Sequence, residues 1–230
     1  MIPELGHFSL ILALCIAVAQ GFLPLLGVAR QNLFWQWLAV PLTLAQGLCI
    51  ALAFAALSWA FAENDFSVRY VAAHSNLALP IQYRLSAVWG GHEGSLLLWV
   101  QILALWSVAF ALRSGALPLA MRARILAVMG CLSLGFLLFL LLTSNPFARL
   151  LPAALDGREL NPLLQDIGMI AHPPLLYMGY VGFAVVFAFA IAALLEGRLA
   201  RQWAAWAKPW ALAAWVFLTL GIFLGSFWAY

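Results

Sequence analysis

The chain has 230 residues, of which 66% are hydrophobic and only 8% are charged, and its formal net charge is +3. A soluble domain is about half apolar and about one quarter charged, so this composition argues against a soluble protein and predicts an integral membrane protein built of helices. The few basic residues lie in loops that flank apolar runs, so the positive charge gives no indication of nucleic-acid binding.

Six apolar stretches reach the length of about 20 residues that a membrane-spanning helix needs. None of them carries Asp, Glu, Lys or Arg at its centre, which counts against a transporter because ion-coupled carriers usually keep such a residue. The predicted fold class is an all-α integral membrane protein, a bundle of about six transmembrane helices with two long outer loops that carry short interfacial helices. The stretches are residues 8–29, 40–61, 94–112, 125–143, 174–195 and 209–229.

The connections between the spans differ in length and in charge. Seven of the eleven Lys and Arg residues lie in the short connections 30–39, 113–124 and 196–208, and four lie in the long loops 62–93 and 144–173. By the positive-inside rule the short connections are cytoplasmic, so both chain ends and both long loops are expected on the outer side, the periplasm of a bacterium. All four histidines then lie on that side, and no pair of them lies inside the spans to bind an intramembrane haem.

Polar side chains inside the spans are few. Three glutamines are expected to make hydrogen bonds between helices: Gln20, Gln46 and Gln101. Three cysteines fall in different spans without a CxxC spacing, so they are expected to be small buried side chains and not a redox pair: Cys15, Cys49 and Cys131.

The first long loop ends in an unusual stretch, WGGHEGSLLLW over residues 89–99. Its glycines let the backbone turn sharply or approach another group closely, its tryptophans flank them, and titratable groups stand where the next helix begins. A flat apolar ligand or a partner helix could lie against this surface, and an interfacial turn with membrane-belt tryptophans has the same composition. The residues that define the candidate surface are Trp89, Gly90, Gly91, His92, Glu93 and Trp99.

The second long loop ends in a histidine followed by two prolines, His172, Pro173 and Pro174. Since a residue before proline disfavours the α region and prolines can open a helix, the backbone at His172 is expected to be extended and the fifth span to begin at Pro174. Upstream, Asn161 and Pro162 predict a short helix on the membrane face. A neutral imidazole placed there could bind a metal or haem iron, or it could donate a hydrogen bond to a headgroup or a loop carbonyl.

Three long stretches carry a resemblance to a known family: residues 80–99, 161–197 and 215–230. They resemble the N-terminal part of the CcmF/NrfE family, the membrane haem lyases of bacterial cytochrome c-type biogenesis, and the resemblance covers essentially the whole chain. It implies cytochrome c maturation at the periplasmic face of the inner membrane. Members of the family receive haem from the chaperone CcmE, work with the thiol-handling protein CcmH, and position haem for thioether attachment to the CxxCH motif of apocytochrome c.

The resemblance also implies roles for single residues. His172 matches an axial ligand of the haem iron in transit, and Tyr177 and Trp228 join the surface at residues 89–99 as expected haem contacts. No catalytic acid or base is assigned, because the reacting thiol and vinyl groups belong to the substrates. The family's second external histidine and the ligands of its intramembrane haem b are not in this chain.

Family members are far longer than this sequence. The chain is therefore expected to be a single membrane domain over residues 1–230 that is a fragment, a truncated reading frame or one part of a split lyase, and to be inactive alone. Two other functions stay open at this point: a scaffold without catalytic activity that docks assembly partners in the membrane, and a haem transporter.

Overall fold

The structure, a computed structural model, describes residues 1–197 and 202–229. Arg198 and Arg201, which the charge rule places in the cytoplasm, and Tyr230, which it places outside, lie beyond the described residues. Over the described ranges the chain is helical, and its single β-type pairing there is an isolated bridge between Val68 and Arg149. The α-helices are α1 (Ile2–Ala29), α2 (Leu33–Trp37), α3 (Ala39–Ala62), α4 (Arg69–His74), α5 (Ile81–Ala87), α6 (His92–Arg113), α7 (Leu119–Thr143), α8 (Ile167–Glu196) and α9 (Gln202–Trp228).

Among the residues that the structure describes, six helical segments are long and apolar enough to cross a membrane, which confirms the predicted all-α membrane class and its number of spans. They are α1, α2 together with α3, α6, α7, α8 and α9. A helix suits hydrocarbon because it pairs nearly all of its backbone N–H and C=O groups within itself. The short helices α4 and α5 lie in the first long loop, and two 3-10 turns lie at Ser114–Ala116 and Pro162–Leu164.

Helix α6 is the most buried of the spans and contacts α3, α7 and α8. Helix α1 packs against both α3 and α7, while α8 packs against α6, α7 and α9. Helix α9 packs mainly on α8, and most of its remaining surface is exposed. Many large side chains exposed on α9 are apolar, which suits contact with lipid hydrocarbon: Leu212, Trp215, Val216, Leu220, Ile222, Phe223 and Phe227.

The two long loops pack on each other at one end of the bundle, and we call residues 63–91 and 144–166 the loop layer. The Arg69 N–H donates to the Ala148 carbonyl at 2.9 Å, and the Leu150 N–H donates to the Ser67 carbonyl at 2.8 Å. Apolar side chains from both loops continue the core of the bundle: Phe66, Val68, Val71, Leu79, Phe147 and Leu160. The loop layer is therefore a folded part of the molecule, while its position relative to the membrane surface stays a prediction.

Helix α8 begins earlier than the proline pair predicted. Its first residue is Ile167, and the Asp166 carboxylate caps it by accepting a hydrogen bond from the Gly168 N–H at 2.6 Å. His172 is therefore helical, and the expectation of an extended backbone there is wrong. The rule for residues before proline describes a local preference, and here the helix cap and tertiary hydrogen bonds outweigh it.

Two boundaries in the second loop change as a consequence. The loop ends at Asp166 and not at residue 173, and the fifth span does not begin at Pro174, because both prolines lie inside α8. The short helix expected after Asn161 is reduced to a 3-10 turn at Pro162–Leu164. Gln165 and Asp166 follow this turn, and α8 begins directly after them.

The polar residues inside the spans agree only in part with expectation. The Gln20 amide donates to the Leu126 carbonyl at 2.8 Å and so joins α1 to α7, as predicted. The side-chain amide of Gln46 and the amide oxygen of Gln101 are buried without a hydrogen-bond partner within the described ranges. Cys49 is buried as expected, whereas Cys15 and Cys131 lie on exposed faces of their helices, so the prediction is wrong for these two.

Candidate functional site

The four histidines all lie at the end of the bundle that carries the loop layer. The Asn145 amide donates to Nδ1 of His7 at 3.1 Å, and Nε2 of His92 forms a 2.8 Å hydrogen bond with the Ser144 hydroxyl. These contacts bring the beginnings of α1 and α6 to the end of α7. The histidines therefore share one end of the bundle, and its assignment to the periplasm stays a prediction.

A cavity of about 460 Å³ opens beside the first turns of α6. This volume lies within the range of roughly 300–1,000 Å³ that is usual for small-molecule sites. Six of the predicted site residues line it, together with Ser95 and Leu96, which the sequence did not single out. The lining residues are Trp89, Gly90, Gly91, His92, Ser95, Leu96, Trp99 and Tyr177.

One wall of this cavity is formed by contacts between α6 and α8. The hydroxyl groups of Ser95 and Tyr177 lie 2.6 Å apart and share a hydrogen bond. The rings of Trp99 and Tyr177 meet edge to face with their centroids 5.2 Å apart, a favourable arrangement for aromatic pairs. The two aromatic side chains are thus held in fixed orientations towards the cavity.

The glycine turn before α6, formed by Gly90 and Gly91, is held by another part of the loop layer, helix α4. The Gly91 N–H donates to the Tyr70 hydroxyl at 2.9 Å, and that hydroxyl donates to the Val88 carbonyl at 3.1 Å. A Cβ atom on Gly91 would lie 2.9 Å from Cε1 of His74, so the turn requires glycine for this close approach. Burial raises the pKa of the Tyr70 hydroxyl well above its ordinary value, which keeps it protonated as a donor.

Tyr70 and His74 are supports of the site that the sequence did not single out. They stand four residues apart, one turn of helix α4, and Nδ1 of His74 donates to the Tyr70 carbonyl at 2.9 Å. Their spacing predicts a shared helix face, but nothing in the sequence indicates which turn that face supports.

Glu93 lies apart from the cavity. It is half-buried in the first turn of α6, where a negative charge is favoured by the helix dipole, and it is not one of the lining residues. Its charge opposes ionisation of Tyr70 and adds to the effect of burial on that pKa. The expected haem contact at Glu93 is thus unsupported by the position of its side chain.

His172 faces α9 and not the cavity. Its Nδ1 atom lies 2.8 Å from the Gly221 carbonyl oxygen. Since a carbonyl can only accept, Nδ1 carries a proton, and the neutral form of the ring then has its lone pair on Nε2. The ring of Trp228 lies beside the imidazole, with centroids 5.9 Å apart. These two predicted site residues therefore lie side by side.

Two glycines of α9 make this arrangement possible. A Cβ atom on Gly225 would lie 2.5 Å from Cε1 of His172, and one on Gly221 would lie 2.6 Å from the Leu176 Cα. Gly221 and Gly225 form a G-x-x-x-G pattern in an apolar run, which is typical of close contacts between membrane helices. The sequence interpretation missed this motif, although the signal for it is present.

Most of the nine predicted site residues thus fall into two groups, and the two groups lie against different faces of α8. Tyr177 follows His172 by five residues, which turns its side chain by roughly 140° around an α-helix. Tyr177 lines the cavity next to α6, and His172 lies against α9. Trp89 links the two groups, because its indole Nε1 donates to the Met169 carbonyl of α8 at 2.9 Å.

The described residues do not build a metal site with three or more protein ligands. Within residues 1–197 and 202–229, no three side chains of His, Cys, Asp or Glu come together to hold a metal ion. An iron at His172 would therefore take one imidazole from the described residues.

Comparisons with known proteins identify relatives over the full chain. The chain is 62% identical over 231 residues to the cytochrome c-type biogenesis protein CcmF of Pseudomonas aeruginosa and 55% identical over 238 residues to that of Escherichia coli. The cytochrome c-type biogenesis protein NrfE of Haemophilus influenzae is 46% identical over 230 residues. All of this chain is covered in each case, whereas it spans only 35–36% of these relatives.

A solved structure named cytochrome c haem lyase CcmF has the same fold, with a TM-score of 0.86 and 29% sequence identity. The match covers 100% of this chain and 36% of that one. The family model described as cytochrome c assembly protein matches residues 89–230, which include the cavity stretch, His172 and both glycines of α9. Since this match takes in more than half of the sequence, the chain belongs to the cytochrome c assembly protein family.

Proposed function

We propose that this chain binds haem in transit during cytochrome c maturation and presents it for attachment to apocytochrome c. The observation that carries the proposal is the hydrogen bond from His172 Nδ1 to the Gly221 carbonyl, which leaves Nε2 as the nitrogen available to iron. The names of the relatives, cytochrome c-type biogenesis proteins and a haem lyase, support the same function.

The surroundings of His172 suit an iron ligand. A histidine bound to a metal usually donates its other ring N–H to a carbonyl or carboxylate, which fixes the tautomer and raises the basicity of the binding nitrogen. Gly221 supplies such a carbonyl, and Trp228 adds an aromatic surface next to the ring. In this proposal His172 is an axial ligand of the substrate haem, and Trp228 contacts the porphyrin.

Thioether formation needs little acid or base catalysis from this chain. Thioether formation adds the S–H of a cysteine across a haem vinyl group, so one C–S bond and one C–H bond form without net oxidation. Both reacting groups belong to the substrates. The residues of this chain therefore have to hold haem in one orientation and keep water away from it, which is the usual contribution of a protein to such chemistry.

The cavity beside α6 is assigned to the delivery of haem. Its walls at Trp89, Trp99 and Tyr177 suit a flat apolar group, while His92 and Ser95 offer directed hydrogen bonds. The proposed partner at this surface is the haem chaperone CcmE. The thiol-handling protein CcmH and apocytochrome c complete the proposed set of partners.

The proposed location is the bacterial inner membrane, with the loop layer and the four histidines on the periplasmic side. The count of basic residues in the short connections supports this orientation. Because the chain spans about a third of its relatives, we assign the second external histidine and the ligands of an intramembrane haem b to the remaining length. Maturation by this chain alone is not expected.

A docking scaffold without haem is the second candidate function. The broad apolar surface of α9 favours it, because that surface suits further membrane helices as well as lipid. In this case the chain would position other assembly subunits and His172 would only join α8 to α9.

A haem titration of the purified chain in detergent separates the two candidates. We expect a Soret band typical of a histidine-ligated haem, its loss in His172→Ala, and partial recovery when imidazole is added. His7→Ala is the matched control, since this histidine lies at the same end but pairs with the Asn145 amide and lines no part of the cavity. An unchanged spectrum in His172→Ala would rule out the proposed ligand and favour the scaffold.

A further inference from the structure

Helix α8 continues through two prolines and loses backbone donors there. In a regular α-helix each N–H donates to the carbonyl four residues earlier, and proline has no N–H. Pro173 therefore leaves the carbonyl of Met169 without its helical donor. Met169 is buried, and an unpaired carbonyl inside a membrane protein costs free energy because no water reaches it.

A tryptophan from another part of the chain supplies the missing donor. The indole Nε1 of Trp89 lies 2.9 Å from the Met169 carbonyl oxygen and donates to it. Trp89 stands in the glycine turn just before α6, 80 positions away from Met169. The indole thus replaces the hydrogen bond that Pro173 removes, one helical turn before His172.

We propose that Trp89 is a positioning residue for His172. By pairing the Met169 carbonyl it allows α8 to stay helical across Pro173, and this conformation brings the His172 ring to the Gly221 carbonyl. His172 precedes a proline, and such a residue favours an extended backbone. Without the indole, the backbone at His172 would shift towards that extended conformation. The positioning itself is independent of haem, and only its consequence for iron binding rests on the proposed function.

The test removes the donor and then restores it by another route. Trp89→Phe keeps an aromatic ring but has no N–H. Pro173→Ala returns the backbone N–H that a regular helix would use for Met169. The effect of Trp89→Phe is therefore expected to shrink in the Pro173→Ala background, a coupling that ordinary loss of packing at Trp89 would not produce.

The chain also offers a matched control. The indole Nε1 of Trp106 donates to the Met178 carbonyl of α8 at 3.0 Å, but residue 182, four positions on, is a glycine that keeps its own N–H. Trp106→Phe thus removes an indole donor from a carbonyl that the helix already pairs. It should leave His172 unchanged.

Two measurements on the full chain in detergent are needed. The first is the ¹⁵N shift of the His172 imidazole without haem, which distinguishes a proton on Nδ1 from one on Nε2. The second is haem affinity followed by the Soret band. For Trp89→Phe we expect a mixed tautomer signal and roughly fivefold weaker haem binding, which is the factor for one ordinary hydrogen bond. In the Pro173→Ala background, Trp89→Phe should weaken haem binding by less than about twofold.

The possible outcomes are distinct. An unchanged tautomer signal in Trp89→Phe, or an equal effect in both backgrounds, would overturn the positioning role. A changed tautomer signal that Pro173→Ala restores would support that role, even if haem affinity proves independent of His172. In that last case the proposed function fails and the positioning stands.

Discussion

Gly225 offers the most direct test of how the His172 ring is held. In Gly225→Ala the new Cβ would lie 2.5 Å from Cε1 of His172, whereas ordinary contacts begin at 3.4 Å. To reach an ordinary contact the ring must move by about 0.9 Å, the difference between these two distances, or α9 must move away from α8. Either movement lengthens the 2.8 Å hydrogen bond to Gly221 beyond the range in which it is effective.

The expected magnitude follows from these contacts. Overpacking by one methyl group in a tight interior costs about 1–3 kcal/mol, and loss of a single hydrogen bond costs about 1 kcal/mol. The overpacking cost lowers the stability of the free and the haem-bound chain alike, so it does not weaken binding directly. Haem binding should weaken by roughly fivefold, the factor for the hydrogen bond of about 1 kcal/mol, since each factor of ten corresponds to about 1.4 kcal/mol. The measurement is a haem titration followed by the Soret band, with added imidazole to test whether the vacated iron position accounts for the loss.

Gly135→Ala is the control for this substitution. A Cβ atom there would meet nothing within 4 Å, so this change on α7 adds a methyl group without strain. It should bind haem like the unmodified chain. Equal haem affinity in Gly225→Ala and Gly135→Ala would show that the close approach of α9 to the imidazole has no part in ligand presentation.

Two further predictions concern topology and the cavity. Reporter fusions at Ser114 should read as cytoplasmic and those at Asp156 as periplasmic, and the reverse pattern would invert the orientation inferred from the basic residues. Gly91→Val should abolish co-purification with the haem chaperone CcmE without loss of membrane insertion, because a side chain there meets Tyr70 and His74. Retained co-purification would mean that the glycine turn is only a structural element at the end of the loop layer.

The spans were predictable because they depend on length and apolar composition alone. The start of α8 was not, because the donor that compensates for Pro173 comes from Trp89, 80 positions away. A rule that considers only the neighbours of a proline cannot include such a partner. This separation in sequence explains why the local pattern predicted an extended backbone at His172, whereas the fold has a helical one there.

The sequence predicted which residue types form the candidate site better than it predicted how these residues are arranged in space. The glycines and tryptophans at residues 89–99 do surround a cavity, and Tyr177 joins them. Their separation from His172 follows from the helical phase of α8, which can be assigned only when its start is known. The pattern at Gly221 and Gly225 was visible, but the sequence does not state which helix those glycines approach.

The position of Gly221 on α9 has a consequence for the order in which the parts of the site form. Translation proceeds from the N-terminus, so α1 to α8 are synthesised before α9. Until α9 packs against α8, the His172 ring has no carbonyl at Gly221 to select its tautomer, and no Trp228 beside it. The cavity beside α6 needs only earlier elements and can form first. In the proposed function, a nascent chain would thus form the cavity before it holds the His172 imidazole in the tautomer that leaves Nε2 for iron.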